Sequence, residues 1–128
     1  MKRIITFFIV LTALLVSTQV EAQKKYAFGS RTGETLTSAV AVSVTPAATL
    51  TVYTVSADTN ITWSVDNSYA VIGDRLVLAI SADASNRVMT FGTNITATTD
   101  SVLANKTKLF EYIYTGSTYH CLGKLQAD

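Results

Sequence analysis

His120 and Cys121 are the only histidine and the only cysteine in the chain, and they are adjacent. Residues 118–122 around them have the composition of a β-strand, in which successive side chains point to opposite faces. The two side chains therefore cannot form a nucleophile–base pair with each other. The chain also lacks the G-x-S-x-G turn that carries many serine nucleophiles. We expect no catalytic role for His120, and burial of Cys121 as a small apolar side chain.

The carboxylates are spread along the chain rather than paired. Five aspartates lie from residue 58 to residue 100, and none opens a D-x-[DN]-x-[DN]-G calcium loop. Glu34 and Glu111 have no spacing that pairs them with each other or with an aspartate for glycoside hydrolysis. One histidine and one cysteine are too few ligands for zinc. The sequence therefore predicts no catalytic residue, no cofactor and no metal site.

A polar segment, Asp83-Ala84-Ser85-Asn86, lies between two apolar runs within residues 73–92. Asp and Asn side chains commonly bond to the backbone of turns. We interpret the segment as a hairpin turn between two strands rather than as a binding site. The apolar residues of the two strands are expected in the core: Leu76, Leu78, Ile80, Met89 and Phe91.

Four aromatic residues are candidates for contacts with a ligand or partner: Trp63, Tyr112, Tyr114 and Tyr119. Aromatic rings on a β-domain can form a platform on which sugars stack, and they can equally build the core and strengthen cross-strand pairs. The sequence leaves both roles open. In the last hairpin, Phe110, Tyr112 and Tyr114 are predicted to share one face of their strand.

The N-terminus has the pattern of an export signal. Lys2 and Arg3 precede an apolar run over residues 4–16, and a polar region ends at Ala22. We predict a signal peptide over residues 1–22, cleaved before Gln23, because the apolar run is shorter than the ~20 residues of a spanning helix. If the segment is retained, it becomes a hydrophobic helix that anchors the protein in a membrane. Residues 23–33 are polar and contain glycine, which predicts a flexible arm.

Residues 34–128 form one predicted domain, and its patterning is that of an all-β protein. Short runs of alternating apolar and polar residues, rich in Val, Thr and Tyr, are separated by turn residues at spacings of roughly 8–12 residues. No convincing repeat is evident. We expect a small antiparallel β-sandwich or jelly-roll-like domain with strands near residues 39–45, 50–55, 61–65, 69–72, 75–81, 87–91, 108–114 and 118–122.

The charge balance narrows the classes of partner. After the leader, eight basic and eight acidic residues remain, so the mature chain is formally neutral. Nucleic acid is not an expected partner, because its binding needs a basic patch. A membrane is expected only if residues 4–20 are retained. Neutral surfaces also favour self-association.

The C-terminal half has a family resemblance. A G-D-x-apolar strand, a polar turn and an R-x-apolar-T-F-G strand precede an A-N-K segment and an aromatic hairpin. Over about residues 73–123 this resembles β-rich modules of bacteriophage head-fibre and tail-fibre proteins. The resemblance implies a non-catalytic virion or surface module, often trimeric. It is carried by Gly73, Asp74, Arg87, Thr90, Phe91, Gly92, Ala104, Asn105, Lys106, Tyr112, Tyr114, Gly116 and Tyr119.

Together these features predict a non-enzymatic structural or adhesive β-domain that is exported (secreted, periplasmic or on the cell surface) or part of a virion. It would act through homo-oligomerisation, with a trimer implied by the resemblance, or through contacts with other surface or virion proteins. The alternative is an exported carbohydrate-binding module that binds a glycan through Trp63 and the C-terminal tyrosines.

Overall fold

The computed structural model describes residues 31–127, which form ten β-strands and no helix. The predicted leader and most of the predicted arm lie outside the described residues. Strand β1 begins at Arg31, so the last three residues of that arm belong to a strand. The strands are β1 (Arg31–Leu36), β2 (Ala41–Val44), β3 (Leu50–Ala57), β4 (Ile61–Val65), β5 (Arg75–Ala82), β6 (Arg87–Phe91), β7 (Ile95–Thr96), β8 (Asp100–Val102), β9 (Thr107–Tyr114) and β10 (Tyr119–Ala127).

Consecutive strands alternate between two sheets through the first six strands. Sheet A has the order β1-β3-β5-β9-β10-β7, and sheet B has the order β2-β4-β6-β8. Each of the first three pairs of strands therefore forms one coil, made of a sheet A strand, a short arc and a sheet B strand. The three coils stack in parallel register, with β3 beside β5 and β4 beside β6.

This arrangement is all-β, as predicted, but its pairing is not antiparallel throughout. Five of the eight strand pairings are parallel. Strands β5 and β6, predicted to form a hairpin, pair in different sheets, so the polar segment between them is an arc that joins the two sheets. The stacked coils give a β-solenoid-like arrangement, and the predicted sandwich or jelly roll is not confirmed.

Antiparallel strands close the C-terminal side of the stack. Strand β9 pairs antiparallel with β5, and β10 continues sheet A by pairing with β9. The hairpin between β9 and β10 agrees with the prediction, with Gly116 at a positive φ of 107° in its turn. On sheet B, β8 pairs antiparallel with β6. We call β8, β9 and β10 the cap.

The core lies between the two sheets, because each strand points alternate side chains inward. The predicted core residues Leu76, Leu78, Ile80 and Met89 are fully buried, and Phe91 is half-buried against them. Rings from the two sheets meet there. The Phe91 ring of sheet B lies 5.3 Å from the Phe110 ring of sheet A, centroid to centroid.

Two features of the strands differ from the prediction. Residues 69–72 form turns rather than a strand. The short strands β7 and β8 were not predicted at all. The coils repeat in space without a fixed sequence period, since Leu50 lies beside Arg75, 25 residues on, whereas Ile61 lies beside Met89, 28 residues on. A short Ser-Ala-Asp repeat ends β3 and β5, where Ser56 and Ala57 lie directly beside Ser81 and Ala82. One coil of the stack therefore spans 25 residues here.

Candidate functional site

The four predicted contact residues lie in the core. Trp63, Tyr112 and Tyr119 are completely buried and Tyr114 is 8% exposed, so none of the four presents a ring face to solvent. The Trp63 Nε1–H lies 3.5 Å from the Met89 Sδ of the next coil. These four aromatic side chains therefore pack in the hydrophobic core and do not form a surface platform. A sugar could reach them only if the core opened.

Two of the buried tyrosines keep unpartnered hydroxyl groups. Within residues 31–127, the hydroxyl oxygens of Tyr112 and Tyr119 have no hydrogen-bond partner, and the same holds for the hydroxyl of Thr51. Burial raises the pKa of both tyrosines far above the usual value, because the phenolate would lose its hydration. These hydroxyls are therefore neutral at physiological pH.

His120 and Cys121 point to different sides of β10, as expected. His120 is exposed and Cys121 is half-buried against the core. The Cys121 thiol lies 3.7 Å from the Gly123 carbonyl oxygen. Among residues 31–127, no group of three or more His, Cys, Asp or Glu side chains is placed to hold a metal ion.

The polar segment at residues 83–86 is not the predicted hairpin turn, because it forms an arc between strands of the two sheets. The Asp83 carboxylate accepts a hydrogen bond from the Ser85 amide at 3.0 Å and forms an ion pair with Arg87. Hydrogen bonds from Arg87 lower the pKa of Asp83. The Asn86 side chain accepts a hydrogen bond from the Ala104 amide at 2.8 Å. The polar side chains of the arc thus form hydrogen bonds with backbone amides and with one another.

One charged cluster lies at the cap. The Nζ atoms of Lys108 and Lys124 each lie 2.9 Å from an Asp100 carboxylate oxygen, and all three side chains are 30% exposed or less. Burial raises the pKa of Asp100, but hydrogen bonds from the two lysines and the Ser101 amide outweigh it and lower that pKa to about 2. The cluster ties β8 of sheet B to β9 and β10 of sheet A, which makes it a structural clamp.

The outer face of sheet A is the surface that sequence reasoning missed. We define it as the solvent-side positions of β3, β5, β9 and β10. Its central positions are mostly aliphatic, although they do not belong to the core. Strand register places them in three rows across the sheet: Leu50–Arg75–Ile113–His120, Val52–Val77–Glu111–Gly123 and Thr54–Ala79–Leu109–Leu125.

Several aliphatic side chains of this face are open to solvent. Leu125 is 65% exposed and Leu109 is 37% exposed, and Leu122 at the bulge of β10 is 54% exposed. A shallow concavity of about 410 Å³ lies among them. The concavity is lined by Val77, Leu109, Glu111, Gly123, Lys124 and Leu125.

Sheet B differs at the equivalent positions. The solvent-side residues of its strands are mostly small or hydroxyl-bearing: Ala41, Ser43, Thr62, Ser64, Val88 and Thr90. The two outer faces therefore have different chemistry on one scaffold. The outer face of sheet A carries the more aliphatic surface of the two, together with a concavity, and apolar surfaces of that kind mark interaction sites.

The sequence did contain a signal for this face. Residues 76–80 of β5 read Leu-Val-Leu-Ala-Ile, a continuous apolar run rather than an alternating one. Such runs are typical of strands that are covered on both sides. In the structure the core covers Leu76, Leu78 and Ile80, whereas Val77 and Ala79 are only half-buried on the outer face.

No protein-family model, curated protein or solved structure matches the chain. Within residues 31–127, no helix is long and apolar enough to cross a membrane.

Proposed function

We propose that this protein is a non-enzymatic structural or adhesive β-module, exported or carried on a virion or cell surface. It acts through homo-oligomerisation and contacts with other surface proteins. The observation that carries the proposal is the aliphatic outer face of sheet A on a scaffold of stacked strands. A largely aliphatic surface on a chain of formal net charge +1 suits protein contact better than small-molecule chemistry.

The expected activity is binding to a cell envelope or a particle. The fluorescently labelled full chain is mixed with intact cells, and separately with purified virions, of the organism from which the sequence comes. The bound label is measured after washing. We expect binding that falls at least ~10-fold when Leu125→Glu places a charge on the aliphatic face. Val40→Glu is the matched control, because Val40 is 70% exposed but lies outside that face. Absence of binding to every surface tested would contradict the proposal.

A carbohydrate-binding module is the second candidate, and one observation keeps it testable. Tyr69 is 55% exposed, in a turn that Asn67 joins to the Ser117 carbonyl oxygen through a 2.9 Å hydrogen bond. Trp63→Ala is a poor probe, since removing a buried ring costs about 3–5 kcal/mol of folding stability. Glycan-array binding that Tyr69→Ala abolishes and Leu125→Glu leaves unchanged would favour this candidate over the surface module.

A further inference from the structure

We propose that the outer face of sheet A is covered by the same face of a second copy of this chain, in a two-fold symmetric dimer. The inference rests on the proposed function and names the partner of its contact surface. Each copy would place an aliphatic side chain, Leu125, into the concavity above Gly123 of the other.

The first support is the sequence of β5. Its continuous apolar run is the pattern of a strand with both faces covered, and the core covers only one of them. Strand β9 behaves alike, since Leu109 and Ile113 face outward opposite the buried Phe110 and Tyr112. The outward residues of the central strands thus have the composition of an interface.

The second support is charge. A face that meets its own copy must not place like charges opposite each other. The charged side chains of the central rows, Arg75 and Glu111, already form an ion pair within each copy. Lys124, which lines the concavity, is paired with Asp100. The face is therefore locally neutral, and the neutral balance of the predicted mature chain adds no long-range repulsion between copies.

The third support is shape. A Cβ atom added at Gly123 would meet nothing within 4 Å, so the space above this strand position is open. Leu125 lies two residues further along the same strand and is 65% exposed. In a two-fold pair each copy supplies one concavity and one projecting leucine, which is the self-complementarity that an isologous contact needs.

The area fits a dimer of modest affinity. Four strands about 4.8 Å apart and about 27 Å long present on the order of 500 Å² per copy. The pair would bury on the order of 1,000 Å², near the lower limit for a specific protein interface. We therefore expect a dimer that dissociates on dilution rather than an obligate one.

The test is the mass of the purified full chain by sedimentation equilibrium over a concentration series to about 1 mM. The central pair of variants is Leu109→Glu and Val88→Glu. Leu109 is 37% exposed on the outer face of sheet A and Val88 is 38% exposed on sheet B, so the substitutions differ in face and not in exposure. We expect at least ~10-fold weaker association for Leu109→Glu and unchanged association for Val88→Glu.

A second variant tests the concavity without adding charge. Gly123→Phe fills the open space above β10 and lies outside the core, so circular dichroism should report an intact fold. It should weaken the dimer because Leu125 of the second copy loses its seat. A stronger dimer would contradict the proposed position of Leu125 above Gly123. It would show that this part of the contact is flat and that the added ring only enlarges its apolar area.

Other outcomes separate this inference from the proposed function. A wild-type monomer across the whole series, or an oligomer that survives Leu109→Glu, overturns the dimer. Binding of such a protein to cells or particles would leave the surface function standing. A dimer that follows these expectations and binds no surface would support the inference and contradict the proposed function.

Discussion

At the scale of single residues, the buried tyrosines are the least expected feature. Tyr112 and Tyr119 lie in a core that offers their hydroxyl groups no partner within the described residues. A buried polar group without a hydrogen bond costs about 1–3 kcal/mol. These side chains therefore contribute aromatic packing while their hydroxyl groups oppose folding.

Removing one hydroxyl should stabilise the protein. We expect Tyr112→Phe to raise the free energy of unfolding by about 1 kcal/mol, measured by urea denaturation at pH 7. It should also reduce the loss of stability above pH 10. The raised pKa of folded Tyr112 means that the unfolded chain releases its proton first as the pH rises. Leu78→Ala, another fully buried site on the neighbouring strand, should instead destabilise. A Tyr112→Phe variant less stable than wild type would contradict this view.

The lowered pKa of Asp100 predicts how the folding stability changes in acid. Its pKa is lowered from 3.8 to about 2 in the folded protein, so its contribution is fully present above pH 4 and is lost as the pH falls towards 2. Allowing for partial exposure, this contribution is about 1–2 kcal/mol. We therefore expect Asp100→Asn to lower the free energy of unfolding by about 1–2 kcal/mol at pH 7, measured by urea denaturation, and by much less at pH 2.

The control for Asp100 is a carboxylate with no such clamp. Asp58 is exposed, and Asp58→Asn should change stability little at either pH. Equal losses for Asp100→Asn at pH 7 and pH 2 would show that the clamp does not act through charge.

At the scale of elements, the arcs hold the register of the coils. The Val88 amide donates to the Asn60 side chain at 2.9 Å, and the Ala104 amide donates to the Asn86 side chain at 2.8 Å. Each asparagine thus joins its own arc to the next layer. Both asparagines come immediately before a sheet B strand, at the same place in successive coils.

Breaking one such bond should loosen one layer. We expect Asn86→Ala to cost about 1 kcal/mol and to speed hydrogen exchange at the Ala104 amide more than at the Val88 amide. Asn60→Ala should produce the reverse order. Ser85→Ala, in the same arc, is the control, because its side chain is exposed. Equal acceleration at both amides in both variants would contradict the layer-by-layer role.

The sequence predicted the strands better than their partners. Alternation placed β4 and β6 with their observed ends, because one face of each strand is buried and one is exposed. It could not distinguish a hairpin from an arc, since Asp83 and Asn86 suit both kinds of turn. It also could not show that Tyr112 is fully buried. That burial involves the Phe91 ring of sheet B, whose centroid lies 5.9 Å from that of Tyr112, a contact between residues distant in sequence.

At the scale of the whole molecule, the parallel stack predicts slow folding. In the stacked coils, neighbouring strands come from different coils, so each of these parallel pairings closes a loop of about 20 residues or more before it is stabilised. We expect refolding in milliseconds to seconds by stopped-flow Trp63 fluorescence, as for other domains dominated by non-local contacts. Refolding within ~100 microseconds would contradict a stack assembled from distant strands.

The repeat that ends β3 and β5 bears on how this protein can change its length. Residues 58–82 run from one Ser-Ala-Asp arc to the next and contribute one strand to each sheet. A tandem duplication of that segment in the gene would insert a coil, keep every inward position inward and leave the cap untouched. The stack would grow by about 4.8 Å, the spacing of neighbouring strands. Such a protein can be lengthened in whole steps without redesign of its ends.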